Sequence, residues 1–226
     1  MAVPGHKMAV DTVGVVLAGG RSRRMGRDKA LLSWHQDDGQ MMTWLDHAVQ
    51  RLQAVCDRVV VSGRTEQNLA SGVMTVPDQP SATAGAESGG PLIGISAVLA
   101  AYPEQDCVFL PVDMVRVSTR ALIDLGQTVS EDCPHACYAG SLFPLRLRST
   151  VNCREQVQAL LTLEAPSARS VKALIHRLGD TVLTLDAEPP EHFINANSPQ
   201  DLTRYRLPAQ QGEPMATATG IPNQRP

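Results

Sequence analysis

The residues best suited to chemistry lie in one short stretch near the N-terminus of this 226-residue chain. An apolar run from Val13 to Leu17 is followed by Ala18 and two adjacent glycines, Gly19 and Gly20. Five cations then follow within nine positions: Arg21, Arg23, Arg24, Arg27 and Lys29. Glycine lets a backbone approach a ligand closely, and exposed N–H groups together with cations can surround phosphate oxygens. The stretch therefore predicts a polyanion site, since crowded cations repel one another without an anion.

The spacing of the glycines excludes two well-known phosphate-binding loops. A P-loop has four residues between its glycines and then Lys with Ser or Thr, whereas here Gly20 and Gly26 are farther apart and Arg27 follows. The dinucleotide fingerprint Gly-x-Gly-x-x-Gly is also absent from this turn. The alternative that stays open is a glycine turn followed by a solvated basic segment.

A second candidate is Asp113, which directly follows a strongly apolar run over 107–112. A carboxylate that faces a phosphate loop is repelled unless a cation lies between them, and Mg²⁺ is the natural choice because it prefers oxygen ligands. Lys29 follows the loop, so its ammonium group could stabilise charge on a reacting phosphate. In the alternative interpretation Lys29 is a surface lysine and Asp113 caps a turn.

Short apolar runs alternate with helical patterns along the chain. We expect strands over 13–17, 58–62, 73–76, 107–112, 136–139, 144–147 and 181–185, and helices over 43–55, 92–101, 118–129, 153–163 and 170–178. This alternation predicts an α/β fold: a Rossmann-like, mostly parallel sheet with helices on both faces. Such sheets bind ligands beyond the carboxyl ends of their strands. The glycine turn and Asp113 would both lie at that edge.

Composition limits the class of protein. With 43% hydrophobic and 19% charged residues the chain is typical of a globular protein. We expect a flexible N-terminus over 1–10, one domain over 11–207 and a disordered tail over 208–226, which is poor in large apolar residues. The net charge of −3 does not favour a nucleic-acid binder.

Compartment and metal content follow from the cysteines and the hydropathy pattern. The odd number of cysteines, five, predicts reduced thiols in a cytoplasmic protein. Cys133 and Cys137 lack the further ligands that a zinc site needs. No apolar run approaches the length of a membrane helix, and the N-terminus has no secretory signal pattern.

Three sequence elements resemble those of one known family. Leu17-Ala18-Gly19-Gly20 with Arg24-Met25-Gly26 and Asp28-Lys29 resembles the signature of molybdenum cofactor guanylyltransferases. Gly90-Pro91-Leu92-Ile93-Gly94 is similar to a second element of that family, and Asn195-Ala196-Asn197-Ser198-Pro199 to a third. The resemblance spans about residues 13 to 206 and implies the nucleotide-diphospho-sugar transferase type of fold.

The resemblance implies roles for particular residues. The implied nucleotide and cofactor contacts are Leu17, Ala18, Gly19, Gly20, Lys29, Asp78, Asp113, Asn195 and Asn197. The implied catalytic residues are Lys29, Arg24 and Asp113, with Asp113 as the metal ligand and the two asparagines on the pterin side. The chain departs from the family where Ser62 replaces an asparagine, Val112 a cysteine and Val115 a proline, and where Leu142-Phe143 replaces a polar pair.

The activity that this resemblance implies is Mg²⁺-dependent transfer of GMP from GTP to the terminal phosphate of molybdopterin, with release of pyrophosphate. Proteins that deliver or receive the cofactor would be partners; neither nucleic acid nor a membrane is expected as one. Two alternatives stay open. One is a related nucleotidyltransferase that uses CTP on the same cofactor or an NTP on a sugar phosphate, and the other is a non-catalytic nucleotide-binding module.

Overall fold

The computed structural model describes residues 12–19, 28–35, 41–64, 73–78, 90–128, 135–179, 183–185, 190–193 and 195–196. The strands are β1 (Val13–Leu17), β2 (Ser33–His35), β3 (Met41–Thr43), β4 (Arg58–Ser62), β5 (Met74–Val76), β6 (Asp106–Pro111), β7 (His135–Tyr138), β8 (Leu145–Arg148) and β9 (Leu183–Leu185). The helices are α1 (Trp44–Gln53), α2 (Pro91–Ala101), α3 (Thr119–Gln127), α4 (Val151–Leu161) and α5 (Val171–Leu178), and 3₁₀ helices lie at Lys29–Leu31, Pro166–Ala168 and Pro190–Phe193.

Seven of the described strands form one sheet in the order β5-β4-β1-β6-β8-β7-β9, and β2 pairs with β3 in a separate hairpin. Strands β5, β4, β1 and β6 are parallel neighbours, whereas β8 runs antiparallel to β6 and β7. In the centre, Val15 of β1 lies opposite Val60 of β4 and Phe109 of β6. The predicted mostly parallel α/β sheet is confirmed.

The middle residues of the central strands are apolar because helices cover both faces of the sheet. Val15, Val60 and Phe109 are fully buried. Helix α1 packs against β1, β4 and α3, while α2 packs against β1, β4, β5 and α4, which in turn contacts α5. The connection from β1 to β4 runs in the opposite direction along the sheet to that from β5 to β6, so right-handed crossovers place α1 and α2 on opposite faces.

Helix starts follow the capping residues in the sequence. Ser118, expected as a cap, accepts a hydrogen bond from the Ala121 amide at 2.9 Å. Thr150 does the same for the Cys153 amide at 3.1 Å, so α4 begins two residues before the predicted start. Pro91 occupies the first turn of α2, where its missing N–H costs nothing.

The expected elements are all present, with ends that differ by a few residues. The hairpin of β2 and β3 was not expected, because three-residue strands carry too little alternation to be recognised. The predicted flexible N-terminus and disordered tail lie outside the described residues, and the domain limits stay predictions. Among the described helices, none has the length and apolar character needed to cross a bilayer.

The cysteines of the described segments are buried and form no disulfide. They are Cys56, Cys107, Cys137 and Cys153, whereas Cys133 lies outside those segments. Burial raises the pKa of the Cys56 and Cys153 thiols to about 12 each. At neutral pH both thiols therefore stay protonated, and the reactive thiolate does not form. Both side chains pack as small apolar groups.

His47 on α1 is a buried titratable residue next to the carboxyl edge of the sheet, with 8% of its surface exposed. Its Nε2 lies 3.1 Å from the Val115 carbonyl oxygen, to which the neutral ring donates, and its ring stacks on Trp34 with centroids 4.6 Å apart. Burial, with a smaller contribution from Arg51, lowers the pKa of His47 to about 4. The imidazole is therefore neutral at pH 7.

The low pKa of His47 predicts a loss of stability in mild acid. Between pH 6.5 and about 4 the unfolded chain binds a proton that folded His47 does not, so the free energy of unfolding falls as the pH falls. We expect the wild-type protein to lose of the order of 3 kcal/mol more than His47→Gln across this interval. Urea unfolding at several pH values measures this free energy in both proteins. An equal pH dependence in the two would contradict the low pKa of His47.

Candidate active site

The carboxyl ends of four parallel strands meet at one edge of the sheet, which we call the site edge. Backbone hydrogen bonds join these ends: Ala18 N–H to Ser62 O at 3.1 Å, Gly63 N–H to Val76 O at 3.3 Å and Val112 N–H to Leu17 O at 3.1 Å. The edge therefore presents, in spatial order, the residues that follow β5, β4, β1 and β6. The segments after β5, β1 and β6 contain residues that we expected at a ligand site, Asp78, Gly19 and Asp113.

Two glycines allow close contacts at this edge. Gly63 has φ +82°, and a Cβ atom placed on it would lie 2.4 Å from Gly19 Cα, so the chain after β4 packs directly on the glycine turn after β1. On α2, a Cβ atom on Gly94 would lie 2.5 Å from Ser62 Oγ. Neither position has room for a larger side chain without displacing the neighbouring strand end.

Asp78, two residues beyond β5, turns its carboxyl group towards the glycine turn. Its Oδ2 would lie 3.1 Å from a Cβ atom on Gly19, and Ser62 Oγ–H donates a long hydrogen bond of 3.4 Å to Oδ1. Although the residue as a whole is exposed, partial burial of the carboxyl group raises the pKa of Asp78, and the bond from Ser62 acts in the opposite direction. The group is thus a poorly solvated acceptor beside the turn.

Lys29 and Asp113 form an ion pair on the other side of β1. Lys29 Nζ donates to Asp113 Oδ2 at 2.7 Å, and the two side chains are only 15% and 14% exposed. Lys29 opens the 3₁₀ helix Lys29–Leu31, as expected of a residue that begins or precedes a helix, and Asp28 caps it by accepting the Ala30 N–H at 3.1 Å. The chain returning from the basic segment is therefore held against the end of β6.

The C-terminal Asn-x-Asn element reaches the same place. Ala196 is buried, and its N–H donates to the backbone oxygen of Asp113 at 3.0 Å. Asn195, which is half-buried, precedes that contact and so lies beside Asp113. The first half of this element thus joins the site edge.

Several expected site residues fall outside the described segments. They are Gly20, Arg21, Arg23, Arg24, Arg27 and Asn197. The described ones, Leu17, Ala18, Gly19, Lys29, Asp78, Asp113 and Asn195, all lie at the ends of β1, β5 and β6 or on segments packed against those ends.

Two contacts at the site edge were not predicted. Ser62, noted only as a departure from the family, donates to Asp78. Arg64, two residues beyond β4, contacts both carboxylate oxygens of Asp28 through one guanidinium nitrogen. The position of Arg64 just past a buried strand was the available signal, because such positions lie at the edge where ligands bind.

A mostly parallel α/β sheet with a glycine turn and charged side chains at its carboxyl edge is the arrangement found in NTP transferase domains. The family model of the MobA-like NTP transferase domain matches residues 14–182. A molybdenum cofactor guanylyltransferase from Xanthomonas euvesicatoria pv. vesicatoria is 36% identical over 193 residues, which cover 84% of this chain and 92% of that relative. The chain belongs to the MobA-like NTP transferase family.

Solved structures show the same fold at lower identity. Molybdopterin-guanine dinucleotide biosynthesis protein A from Archaeoglobus fulgidus aligns with a TM-score of 0.59 and 19% identity, over 85% of this chain and 96% of that one. 2-C-Methyl-D-erythritol 4-phosphate cytidylyltransferase from Thermus thermophilus aligns with a TM-score of 0.58 and 18% identity, over the same shares, 85% and 96%. One of these proteins is named for a guanine dinucleotide and the other for a cytidylyl group. The shared fold therefore does not determine which nucleotide base is bound.

The packing of Gly63 on Gly19 predicts the effect of a substitution. Gly63→Ala should lower the free energy of unfolding by more than Gly140→Ala, which serves as the matched control. Gly140 also has positive φ, +74°, but its Cβ would meet nothing within 4 Å, so it carries only the backbone cost of about 1–2 kcal/mol. Urea unfolding measures both, and equal losses would show that the contact with Gly19 imposes no constraint.

Proposed function

We propose that this chain transfers GMP from GTP to the terminal phosphate of molybdopterin, giving a guanine dinucleotide cofactor and pyrophosphate. The observation that carries the proposal is the Lys29–Asp113 pair, 2.7 Å apart, at the sheet edge where β1 also ends in the glycine turn. The family membership and the relative with 36% identity support the same activity.

The nucleotide would lie along the site edge. The turn at Gly19 would bring its backbone close to the triphosphate because glycine carries no side chain. The Asp78 carboxylate would accept hydrogen bonds from ribose hydroxyls or from the guanine amino group. Asn195, beside Asp113, would offer its amide to the pterin or to the phosphate of the acceptor.

The residues present fit Mg²⁺ bound mainly by phosphates. Among the described residues there is no cluster of three or more Asp, Glu, His or Cys side chains, so a cage built from protein ligands alone is not found there. Asp113 supplies a hard carboxylate at the position where a triphosphate would arrive, and Mg²⁺ commonly uses one or two carboxylates with phosphates and water. Bound there, Mg²⁺ would neutralise charge that develops on the phosphates.

The reaction needs alignment more than proton transfer. An oxygen of the molybdopterin phosphate attacks the α-phosphorus of GTP, the bond from that phosphorus to the bridging oxygen breaks, and pyrophosphate leaves with the electron pair. Because the nucleophile is already an anion, no base has to remove a proton. Lys29 and Arg24 would stabilise the transition state because their positive charges would lie next to the phosphate that is being transferred.

Location and partners remain predictions. The cysteines predict a cytoplasmic protein, and the chemistry of the product requires proteins that supply and receive the cofactor. A related activity with CTP is an outcome that the following assay distinguishes.

Pyrophosphate release with each NTP in turn tests the function. With Mg²⁺ and molybdenum-loaded molybdopterin we expect turnover with GTP and a product whose mass corresponds to the guanine dinucleotide. Lys29→Met should lower kcat by about 10²-fold or more, because it removes the positive charge that would lie next to the transferred phosphate. Lys172→Met, on the exposed face of α5, is the matched control and should retain full activity.

Two results would contradict this function, and a third would contradict the role of Lys29 in it. Preference for CTP would assign the related activity, and turnover only with a sugar phosphate would replace the acceptor. Unchanged kcat in a folded Lys29→Met protein would remove the proposed role of that ammonium group. Far-UV circular dichroism checks folding, since Lys29→Met also leaves the Asp113 carboxylate without this partner.

The raised pKa of Asp78 predicts pH-dependent binding of guanosine, which carries no phosphate to titrate. The ionised carboxylate accepts hydrogen bonds from the nucleoside, so affinity should fall as the pH falls through a midpoint above the ordinary 3.8. Ser62→Ala removes a hydrogen bond that lowers this pKa, so it should move the midpoint upward. Asp78→Asn should abolish the midpoint. Calorimetric titration with guanosine measures the midpoint in the wild-type protein and in both variants. A midpoint unchanged by Asp78→Asn would contradict the contact between Asp78 and the nucleoside.

A further inference from the structure

Arg64 links β4 to the chain that leaves the basic segment. It follows Gly63, whose backbone is fixed by its contact with Gly19 and by its hydrogen bond to Val76. Its guanidinium group contacts both carboxylate oxygens of Asp28. The Arg64 side chain is 13% exposed, so its position is set by packing around the end of β4.

Asp28 is the residue through which Arg64 reaches the reacting centre. One of its oxygens also accepts the Ala30 N–H at 3.1 Å and so caps the 3₁₀ helix that begins with Lys29. Lys29 in turn donates to Asp113 beyond β6. A chain of contacts therefore runs from Arg64 on one side of β1, through Asp28 and Lys29, to Asp113 on the other side.

The pair has limited value for stability, because Asp28 is 43% exposed and exposed ion pairs contribute little to the free energy of unfolding. The pair matters because it fixes the position of the peptide that joins Asp28 to Lys29. The peptide of Asp28 and Lys29 is held from β4 by Arg64 and from β6 by Asp113, so the Lys29 ammonium has few alternative placements.

We propose that Arg64 is a positioning residue for group transfer: it holds the Asp28 carboxylate and thereby fixes the Lys29 ammonium at the phosphate to be transferred. This inference rests on the proposed function. In this role Arg64 acts through Asp28, because one of its guanidinium nitrogens contacts both oxygens of that carboxylate. Loss of Arg64 should therefore impair turnover more than nucleotide affinity.

A double-mutant cycle in the full chain tests the inference. Arg64→Met should lower kcat for pyrophosphate release by about 10- to 100-fold through misplacement of Lys29, with the KM for GTP changed by less than about threefold. Asp28→Asn should have a similar effect, and the double variant should be no worse than either single variant. Arg64→Lys should recover part of the rate, because it keeps the charge but not the planar guanidinium. Arg154→Met, which breaks a pair with Glu104 before β6, is the matched control and should retain kcat.

A second measurement needs no substrate and separates this inference from the proposed function. The rate at which an amine-specific acylating reagent modifies Lys29 is followed by mass spectrometry, with the exposed Lys172 of the same molecule as the internal reference. Lys29 is shielded by its pair with Asp113, so Arg64→Met and Asp28→Asn should each raise its relative rate of modification by about tenfold, and Arg154→Met should not.

The outcomes are distinct. Multiplicative losses of kcat in the cycle, a raised KM with normal kcat, or an unchanged rate of Lys29 modification would each overturn the positioning role. If GTP gives no turnover in any protein but Lys29 becomes more reactive in Arg64→Met, the link from Arg64 to Lys29 stands and the proposed function fails.

Discussion

The ion pair between Lys29 and Asp113 is the contact on which the rest of the site depends. It joins two segments that are 84 residues apart in the chain, at 2.7 Å, where little solvent reaches either side chain. At such low exposure a charge without a partner is costly, so the pair holds the start of the 3₁₀ helix Lys29–Leu31 against the end of β6. Under the proposed function a triphosphate would supply new partners for both groups, anionic oxygens for the lysine and a bound cation for the aspartate.

The surroundings of the pair make this exchange possible. The parallel order of β4, β1 and β6 brings their carboxyl ends together, and the close contact of Gly63 with Gly19 keeps the turn narrow. The backbone bond from Ala196 to Asp113 brings the Asn-x-Asn element to the same carboxylate. In the proposed function the donor and acceptor parts of the site would thus be attached to one short length of backbone, which would suit a reaction governed by alignment.

The sequence predicted the sheet and its burial, and it predicted that the glycine turn and Asp113 lie at one edge of that sheet, because these features depend on local patterns. Apolar runs such as Val13–Leu17 mark parallel strands covered on both faces, and the rule for carboxyl ends then places Gly19 and Asp113 on one edge. The resemblance added roles for Lys29 and Asp78, and the structure places both side chains at that edge.

Contacts between side chains of different strands were beyond prediction from sequence. In the sequence, Ser62 was only a position where the family has asparagine. In the structure it donates a hydrogen bond to Asp78, and this contact depends on the pairing of β4 with β5. The contact of Arg64 with Asp28 depends likewise on strand order, since nothing local relates positions 36 residues apart. The hairpin of β2 and β3 escaped detection because its strands are too short to show a period.

The most direct measurement is a crystal structure of the protein with Mg²⁺ and a GTP analogue whose bridge between the α- and β-phosphates is a methylene group. We expect the phosphates on the turn at Gly19, the Lys29 ammonium moved from Asp113 to a phosphate oxygen, the Asp113 carboxylate on the metal, and Asp78 within hydrogen-bond distance of the nucleoside. A triphosphate bound away from Gly19, or one bound there with the Lys29–Asp113 pair intact, would contradict the central role of this pair.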